Sequence, residues 1–338
     1  MKSTKYLFII MVFVGIIGLI GCNNGMKDNQ SDEKIMLKSN VKELSIATGG
    51  IGGTYFDIGA AIAVIITQDL EDTVVSPLST GASIANLTLL KNGDVDLILA
   101  ASNSNQRAYF GTPPFEEAYS ELRAIASLYS EMFHFITKVN QDIDSISDIK
   151  GLRISVGPKE GGTSRSAQEI IEAHGIDFNK DIEVKYLSFS EAVFALEAGQ
   201  IDVAVVATGI PNSIVNDIAD VIDIKLLKID EDKFNSFMDK QPYMFIGKIP
   251  AGIYKGINYD ILTASTPALL VTTTEMDNDL VYRVTKALFN SPDILRQAHS
   301  QGQNIRLNNA LQGISIPLHE GSKQYYLEQG INFDEDGR

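Results

Sequence analysis

The sequence predicts an α/β protein built as two similar lobes around a cleft. Three observations carry that expectation. Leu90–Ser102 (LKNGDVDLILAAS) recurs as Leu196–Thr208 (LEAGQIDVAVVAT), each copy a helix end, a glycine stop, an acidic turn and a buried strand. Upstream of each copy a strand runs into a Gly-Gly-Thr turn, Leu44–Thr54 (LSIATGGIGGT) and Leu152–Thr163 (LRISVGPKEGGT). Strands alternate with helices along the chain, which is the pattern of parallel sheets. A chain of 338 residues is long enough for two α/β cores. A cleft between lobes is where small ligands are most often held.

The elements follow in order. Leu44–Thr48 alternates as a strand, and Tyr55–Leu70 is an apolar-rich helix. Thr73–Leu78 is a short strand, and Ser83–Lys91 a helix stopped by Gly93. Val95–Ala101 reads as a strand buried on both faces. Leu122–Ser127 and Phe135–Val139 read as two further strands, with Tyr129–His134 between them. The second unit repeats the plan, with strands at 152–156, 182–186 and 201–207 and helices at 164–174 and 190–198. Pro211 starts a helix, Asp230–Asp239 is helical, and Pro267–Thr273 is an apolar strand. Asp277–Asn290 is an amphipathic helix with an acidic first turn. Residues 294–330 are mostly helical, break at Pro317, and are expected to pack back on the first lobe.

The front of the chain is expected to stand outside this fold. Lys2 and Lys5 precede an apolar run from Tyr6 to Gly21, shorter than a membrane span requires. The run ends in Leu19-Ile-Gly-Cys22, resembling a bacterial lipoprotein signal whose cysteine is acylated. Cys22 is the one cysteine of the chain, so no intramolecular disulfide can form. Residues 1–22 are therefore expected to be signal and lipid anchor, and 23–43 a polar tether. The net charge of −15 argues against nucleic acid as a partner. It leaves an anionic small ligand open, because local donors decide that question.

A strand that ends in glycines and opens a helix points free backbone N–H groups outward, and the helix adds partial positive charge. Such a turn binds phosphate or carboxylate without a lysine, although glycines also serve simply to turn the chain tightly. Neither Gly-Gly-Thr turn carries a nucleotide signature. Thr80-Gly-Ala-Ser83 and Thr208-Gly-Ile-Pro211 are turns of the same kind, and Ser102–Asn105 follows a strand too. Helix capping also accounts for their small polar residues. Arg165 in a first helical turn opposes the helix dipole, so it meets either an anionic ligand or solvent. Glu131 and His134 sit near the first crossing between lobes, His134 more in keeping with a structural role. Catalytic patterns are missing: the four histidines, His134, His174, His299 and His319, lack metal spacing, and no Gly-x-Ser-x-Gly elbow occurs. Neither a metal nor a cofactor is expected.

The chain resembles the TAXI-type solute-binding proteins of tripartite ATP-independent periplasmic (TRAP) transporters from about Leu44 to Gly330. The resemblance rests on Ala47–Tyr55 (ATGGIGGTY), Ser79–Leu87 (STGASIANL), Asn92–Leu97 (NGDVDL), Leu128–His134 (LYSEMFH) and Ile149–Gly157 (IKGLRISVG). It continues in Glu183–Phe189 (EVKYLSF), Ser190–Ala192 (SEA), Gly199–Asp202 (GQID), Ile249–Tyr254 (IPAGIY), Pro267–Val271 (PALLV) and Leu280–Leu288 (LVYRVTKAL). It implies a type II periplasmic-binding-protein-like fold, with parallel-rich sheets flanked by helices and a hinged cleft. Residues 44–136 and 266–338 would form one lobe and 137–265 the other. It implies a monomeric extracytoplasmic lipoprotein, not an enzyme, that delivers a small carboxylate such as glutamate or 2-oxoglutarate to membrane permease subunits. A same-fold enzyme of dehydratase type and a ligand-sensing module are the alternatives.

By motif position the resemblance implies ligand contacts from Gly53, Thr54, Tyr55, Thr80, Gly81, Ser83 and Asn86. It adds Ser104, Asn105 and Gln106, where the family often has Ser-Asp, and Gly162 and Thr163 in the second loop. Arg165 stands where an acidic or small residue is common, and Thr208, Gly209 and Pro211 replace Ala-Gly-x-Pro. These departures bear on the ligand rather than the fold.

Overall fold

The computed structural model describes residues 41–239 and 243–333. The expected signal, the Cys22 anchor and the tether up to residue 40 lie outside the described residues. Among the described residues no helix is long and apolar enough to cross a membrane.

Among the described residues, one mixed sheet of ten strands is flanked by helices. Its strands are β1 (Lys42–Ala47), β2 (Thr73–Leu78), β3 (Leu97–Ala101), β4 (Leu122–Lys138), β5 (Arg153–Ser155), β6 (Glu183–Lys185), β7 (Val203–Thr208), β8 (Ile224–Leu226), β9 (Phe245–Ile249) and β10 (Ile261–Thr273). The order is β2-β1-β3-β10-β4-β7-β5-β6, with β8 on β4 and β9 on β10. Two parallel triplets, β2-β1-β3 and β7-β5-β6, are joined by the antiparallel pair β10-β4. The α/β class is as expected, and the two triplets form one continuous sheet because β10 pairs β3, β4 pairs β7 and β10 pairs β4. β4 pairs β10 as far as Met132, then β7 from Met132 to Ile136. The expected lobe boundaries at 136/137 and 265/266 fall inside these two strands.

The expected break at Tyr129–His134 is therefore corrected: Leu122–Lys138 is one strand of 17 residues. Its Glu131 and His134 are buried with partners. Glu131 accepts from the Tyr55 hydroxyl, and His134 bonds two backbone carbonyls and the Tyr254 hydroxyl. β10 likewise begins six residues before Pro267. The Thr263, Ser265 and Thr266 hydroxyls donate to the carbonyls of Phe133, Phe245 and Tyr243, so burial leaves none of them unsatisfied.

The helices are α1 (Thr54–Asp69), α2 (Ser83–Asn92), α3 (Ser102–Phe110), α4 (Gly162–Ala173), α5 (Phe189–Glu197), α6 (Ser213–Val221), α7 (Glu231–Met238), α8 (Asn278–Asn290), α9 (Pro292–Ala298) and α10 (Glu320–Glu328). The internal repeat explains itself here. Gly93 and Gly199 end α2 and the turn after α5 in left-handed conformations, φ 75° and 68°. The repeated aspartates then tie neighbouring strands together. Asp96 accepts the Ser45 N–H at 2.8 Å, and Asp202 accepts the Arg153 N–H at 2.9 Å. Asp202 also binds the Arg153 guanidinium, which holds its carboxyl below the ordinary range.

Apolar side chains pack both faces of each triplet. Residues such as Ile46, Ile58, Leu97 and Val281 fill one face of the β1 triplet, and Leu87, Ile98, Leu269 and Tyr326 the other. Phe133, Ile154, Ile170 and Val205 fill one face of the β7 triplet, and Ile136, Leu196, Val206 and Ile249 the other. The tail packs on the β1 triplet as expected, the Tyr326 hydroxyl donating to the Ile125 carbonyl at 2.8 Å.

Candidate functional site

A cavity of about 370 Å³ opens where the carboxyl ends of the two triplets face each other. That position is where open α/β sheets hold ligands. Its walls are the turns leading into α1, α2, α4 and α5, with Glu131 and Phe133 of β4 and Thr266 of β10.

The turns expose backbone donors. Gly53, Ala82 and Gly161 are the N-cap residues of α1, α2 and α4, and none supplies a side-chain cap. The first N–H groups of these helices have no intrahelical acceptor. By contrast, Ser188 caps α5 through Glu191, and Asn212 caps α6 at the Ile214 N–H. Ala82 stands at φ 70°, ψ −149°, a conformation that a side chain strains. Its N–H donates to Thr80 Oγ1 at 3.1 Å, and Thr80 donates to Asn86 Oδ1 at 2.5 Å.

Of the expected contacts, Gly53, Thr54, Tyr55, Thr80, Gly81, Ser83, Gly162, Thr163 and Thr208 line the cavity. Asn86 stands behind the lining, fully buried. Its amide donates to the carbonyls of Ala47, Thr48 and Leu99 at 3.3, 2.6 and 2.7 Å, so it clamps two strand ends under the α2 turn. Ser104 is buried against Gly162, while Asn105 donates to the Ala100 and Ala101 carbonyls at 3.0 Å. Gln106 is half-buried and outside the lining. Arg165 is outside it too; its guanidinium meets Glu169 at 3.3 Å, on the same helix. Gly209 is packed on Gln301, which a Cβ there would overlap, and Pro211 follows a cis peptide bond.

Sequence reasoning gave no ligand contact to Ser166, Ser188, Phe189, Ser190 and Ile214, which the second triplet contributes to the lining, and singled out Glu131 only as the acid to test in an enzyme of the same fold. Ser188-Phe-Ser-Glu191 is a capping box and marks a helix start beside the site. Nothing in the local pattern marks Glu131.

The two sides touch around the cavity. Thr54 Oγ1 lies 2.9 Å from Thr208 Oγ1, and Asn212 donates to Thr208 Oγ1 at 3.0 Å and to the Gly52 carbonyl at 3.3 Å. A Cβ on Gly162 would lie 2.9 Å from Ser83 Cβ and Oγ, so α4 can approach α2 only as glycine. Further out, Asn103 donates to Ser166 at 2.8 Å, and Arg107 of α3 pairs with Glu169 of α4, both buried.

Among the described residues, Glu131 and Tyr55 are the lining residues that titrate, and no lysine, arginine or histidine lines the cavity. Burial pushes the Glu131 carboxyl up to about 8, against a smaller downward pull from the Tyr55 hydrogen bond. Burial and the Glu131 charge raise Tyr55 well above the ordinary phenol value, and the Ser83 side chain beside it works the other way. His134, on the opposite face of β4, is pushed down to about 4 by burial and is a neutral bridge between Val206 and Tyr254. Among the described residues, no three histidine, cysteine or acidic side chains are gathered as a metal ion would require. The site thus gathers hydroxyls, amide donors and apolar side chains such as Phe133, Phe189 and Ile214 around one buried carboxyl.

The model of the NMT1-like family matches residues 46–330. Among solved structures, the substrate binding protein of an amino acid ABC transporter matches at 16% identity. It covers 78% of this chain and 96% of its own, with a TM-score of 0.46. The periplasmic aliphatic sulphonate binding protein of Escherichia coli matches at 15% identity over 85% of this chain and 83% of its own, TM-score 0.47. A putative L-cystine ABC transporter from Listeria monocytogenes matches at 12% identity over 81% and 99%, TM-score 0.47.

Proposed function

This chain belongs to the NMT1-like family, and from that premise we propose that it is a solute-binding protein of a TRAP-type secondary transporter. It captures a small carboxylate outside the cytoplasm and hands it, unchanged, to the membrane permease subunits. The observation that carries the reading is the convergence of three helix N-termini without side-chain caps on one cavity between the triplets. Backbone N–H groups and helix dipoles there suit a carboxylate with no cation in attendance. The series of motif segments from Ala47 to Leu288 supports the TRAP assignment. In this reading the β1 and β7 sides are lobes, ligand contacts from both favour the closed form, and Cys22 carries the lipid anchor.

The expected ligand contacts are the N–H groups of the α1, α2 and α4 starts with the hydroxyls of Thr54, Ser83 and Thr163. The test is thermal unfolding of the purified chain with L-glutamate or 2-oxoglutarate. A ligand at a hundred times its Kd adds about 2.7 kcal/mol of stability. Replacing Ser83 and Thr163 together by alanine removes the rise; a full rise in the double variant rejects the site. The buried Glu131 favours one second reading, an enzyme of the same fold with Glu131 as general acid. Turnover of a bound acid that Glu131→Gln abolishes would establish it.

A further inference from the structure

We propose that Glu131 is the cation-recognising end of the cavity, so that the ligand is an amino carboxylate with its ammonium beside Glu131 and its carboxylate at the helix N-termini. The proposal rests on the carboxylate reading above and narrows it.

The cavity separates its charges. Its anion-binding capacity lies in the glycine turns, where α1, α2 and α4 begin. Its one ionisable acid is Glu131, 7% exposed, set on β4 opposite Thr266 where β4 passes from β10 to β7. One oxygen of Glu131 accepts the Tyr55 hydroxyl at 2.7 Å, and the other makes no hydrogen bond among the described residues. A carboxylate that accepts from a phenol and keeps its second oxygen free is suited to an ammonium, which brings three donors and no acceptor. A second ligand carboxylate at that point requires Glu131 to stay protonated, because among the described residues no lysine, arginine or histidine lines the cavity to offset two anions.

The charge balance gives a signature. Burial keeps Glu131 largely protonated at pH 7 in the empty cavity, since its value is about 8. An ammonium beside it favours the ionised form, so binding expels close to one proton. A dicarboxylate binds with proton uptake or none.

The experiment is titration calorimetry on the full chain, at pH 7, in buffers of different ionisation enthalpy. The probes are the standard amino acids other than proline and their matching 2-oxo acids, which share a carbon frame and differ at one nitrogen. The expected result is an amino acid that binds at least about tenfold more tightly than its 2-oxo partner, with release of close to one proton. Glu131→Gln brings the two within about threefold and abolishes the release. A 2-oxo acid that binds as well as its amino partner, or binding with proton uptake, overturns the inference and leaves the carboxylate reading standing. If no probe binds, the carboxylate reading fails and the inference with it. Should Glu131→Gln not fold, proton release by the unaltered chain decides alone.

Discussion

At Glu131, burial and the Tyr55 hydroxyl pull in opposite directions, and burial wins. The folded-state value of about 8 stands above the ordinary 4.5, so the protonated carboxyl stabilises the fold fully below pH 4.5. That contribution is lost as pH rises through 8. His134 works in the other sense: its value of about 4 lies below the ordinary 6.5, so its contribution is lost as pH falls through 4. Tyr55 and Tyr129 flank Glu131 with values raised well above the phenol range, so neither ionises in this window. The ligand-free protein should therefore lose up to about 1.4 kcal/mol per pH unit between pH 6.5 and 8 through this one group. Urea unfolding across that range measures it, and Glu131→Gln should flatten the slope. Asn86 belongs to the same scale. Its amide donates to the Thr48 and Leu99 carbonyls at two strand ends, so Asn86→Ala should cost about 1–3 kcal/mol by the same measurement. Glu131 was legible as a residue near the crossing but not as a lining group. Its place follows from its register with Thr266, far away in sequence.

The turn-and-helix units show why part of the site could be read and part could not. A Gly-Gly-Thr turn announces itself, because only the residues of one short segment decide where its N–H groups point. The Thr54 and Thr163 turns were legible for that reason, and so were the repeat glycines with positive φ. β4 was not legible as one strand. Ser130, Glu131 and His134 interrupt any apolar pattern, and the groups that satisfy Glu131 and His134 come from α1, β7 and the segment around Tyr254. Arg165 is a second instance: its place in a first helical turn pointed to an anionic neighbour, and Glu169, one turn along the helix, is that neighbour. The element that binds the two sides most closely is the start of α4, where Gly162 touches Ser83. Gly162→Ala should weaken ligand binding by tenfold or more, since a single added methyl holds α4 away from α2. Calorimetry reads the loss, and an unfolding midpoint within a few degrees of the parent separates it from damage to the fold.

Across the whole molecule, the Arg107–Glu169 pair joins α3 to α4 with both side chains buried. Removing one partner from such a pair typically costs about 3–5 kcal/mol, because the other charge stays buried and alone. If the two sides part in solution, that cost falls on the closed form. Glu169→Gln should then lower ligand affinity and enlarge the liganded protein in small-angle scattering, and a double-mutant cycle with Arg107→Met should give coupling well above 1 kcal/mol. The N-terminal anchor is a prediction of the same scale: Cys22→Ser should abolish incorporation of labelled palmitate and leave the protein in the aqueous fraction of cells.

Both passages of the chain between the triplets are long paired strands rather than loops. A joint of that kind bends like a plank instead of swinging like a door, since hydrogen-bonded neighbours resist free rotation of each backbone. Under the proposed function, two paired strands should restrain opening more than two loops would, which favours slender solutes over bulky ones.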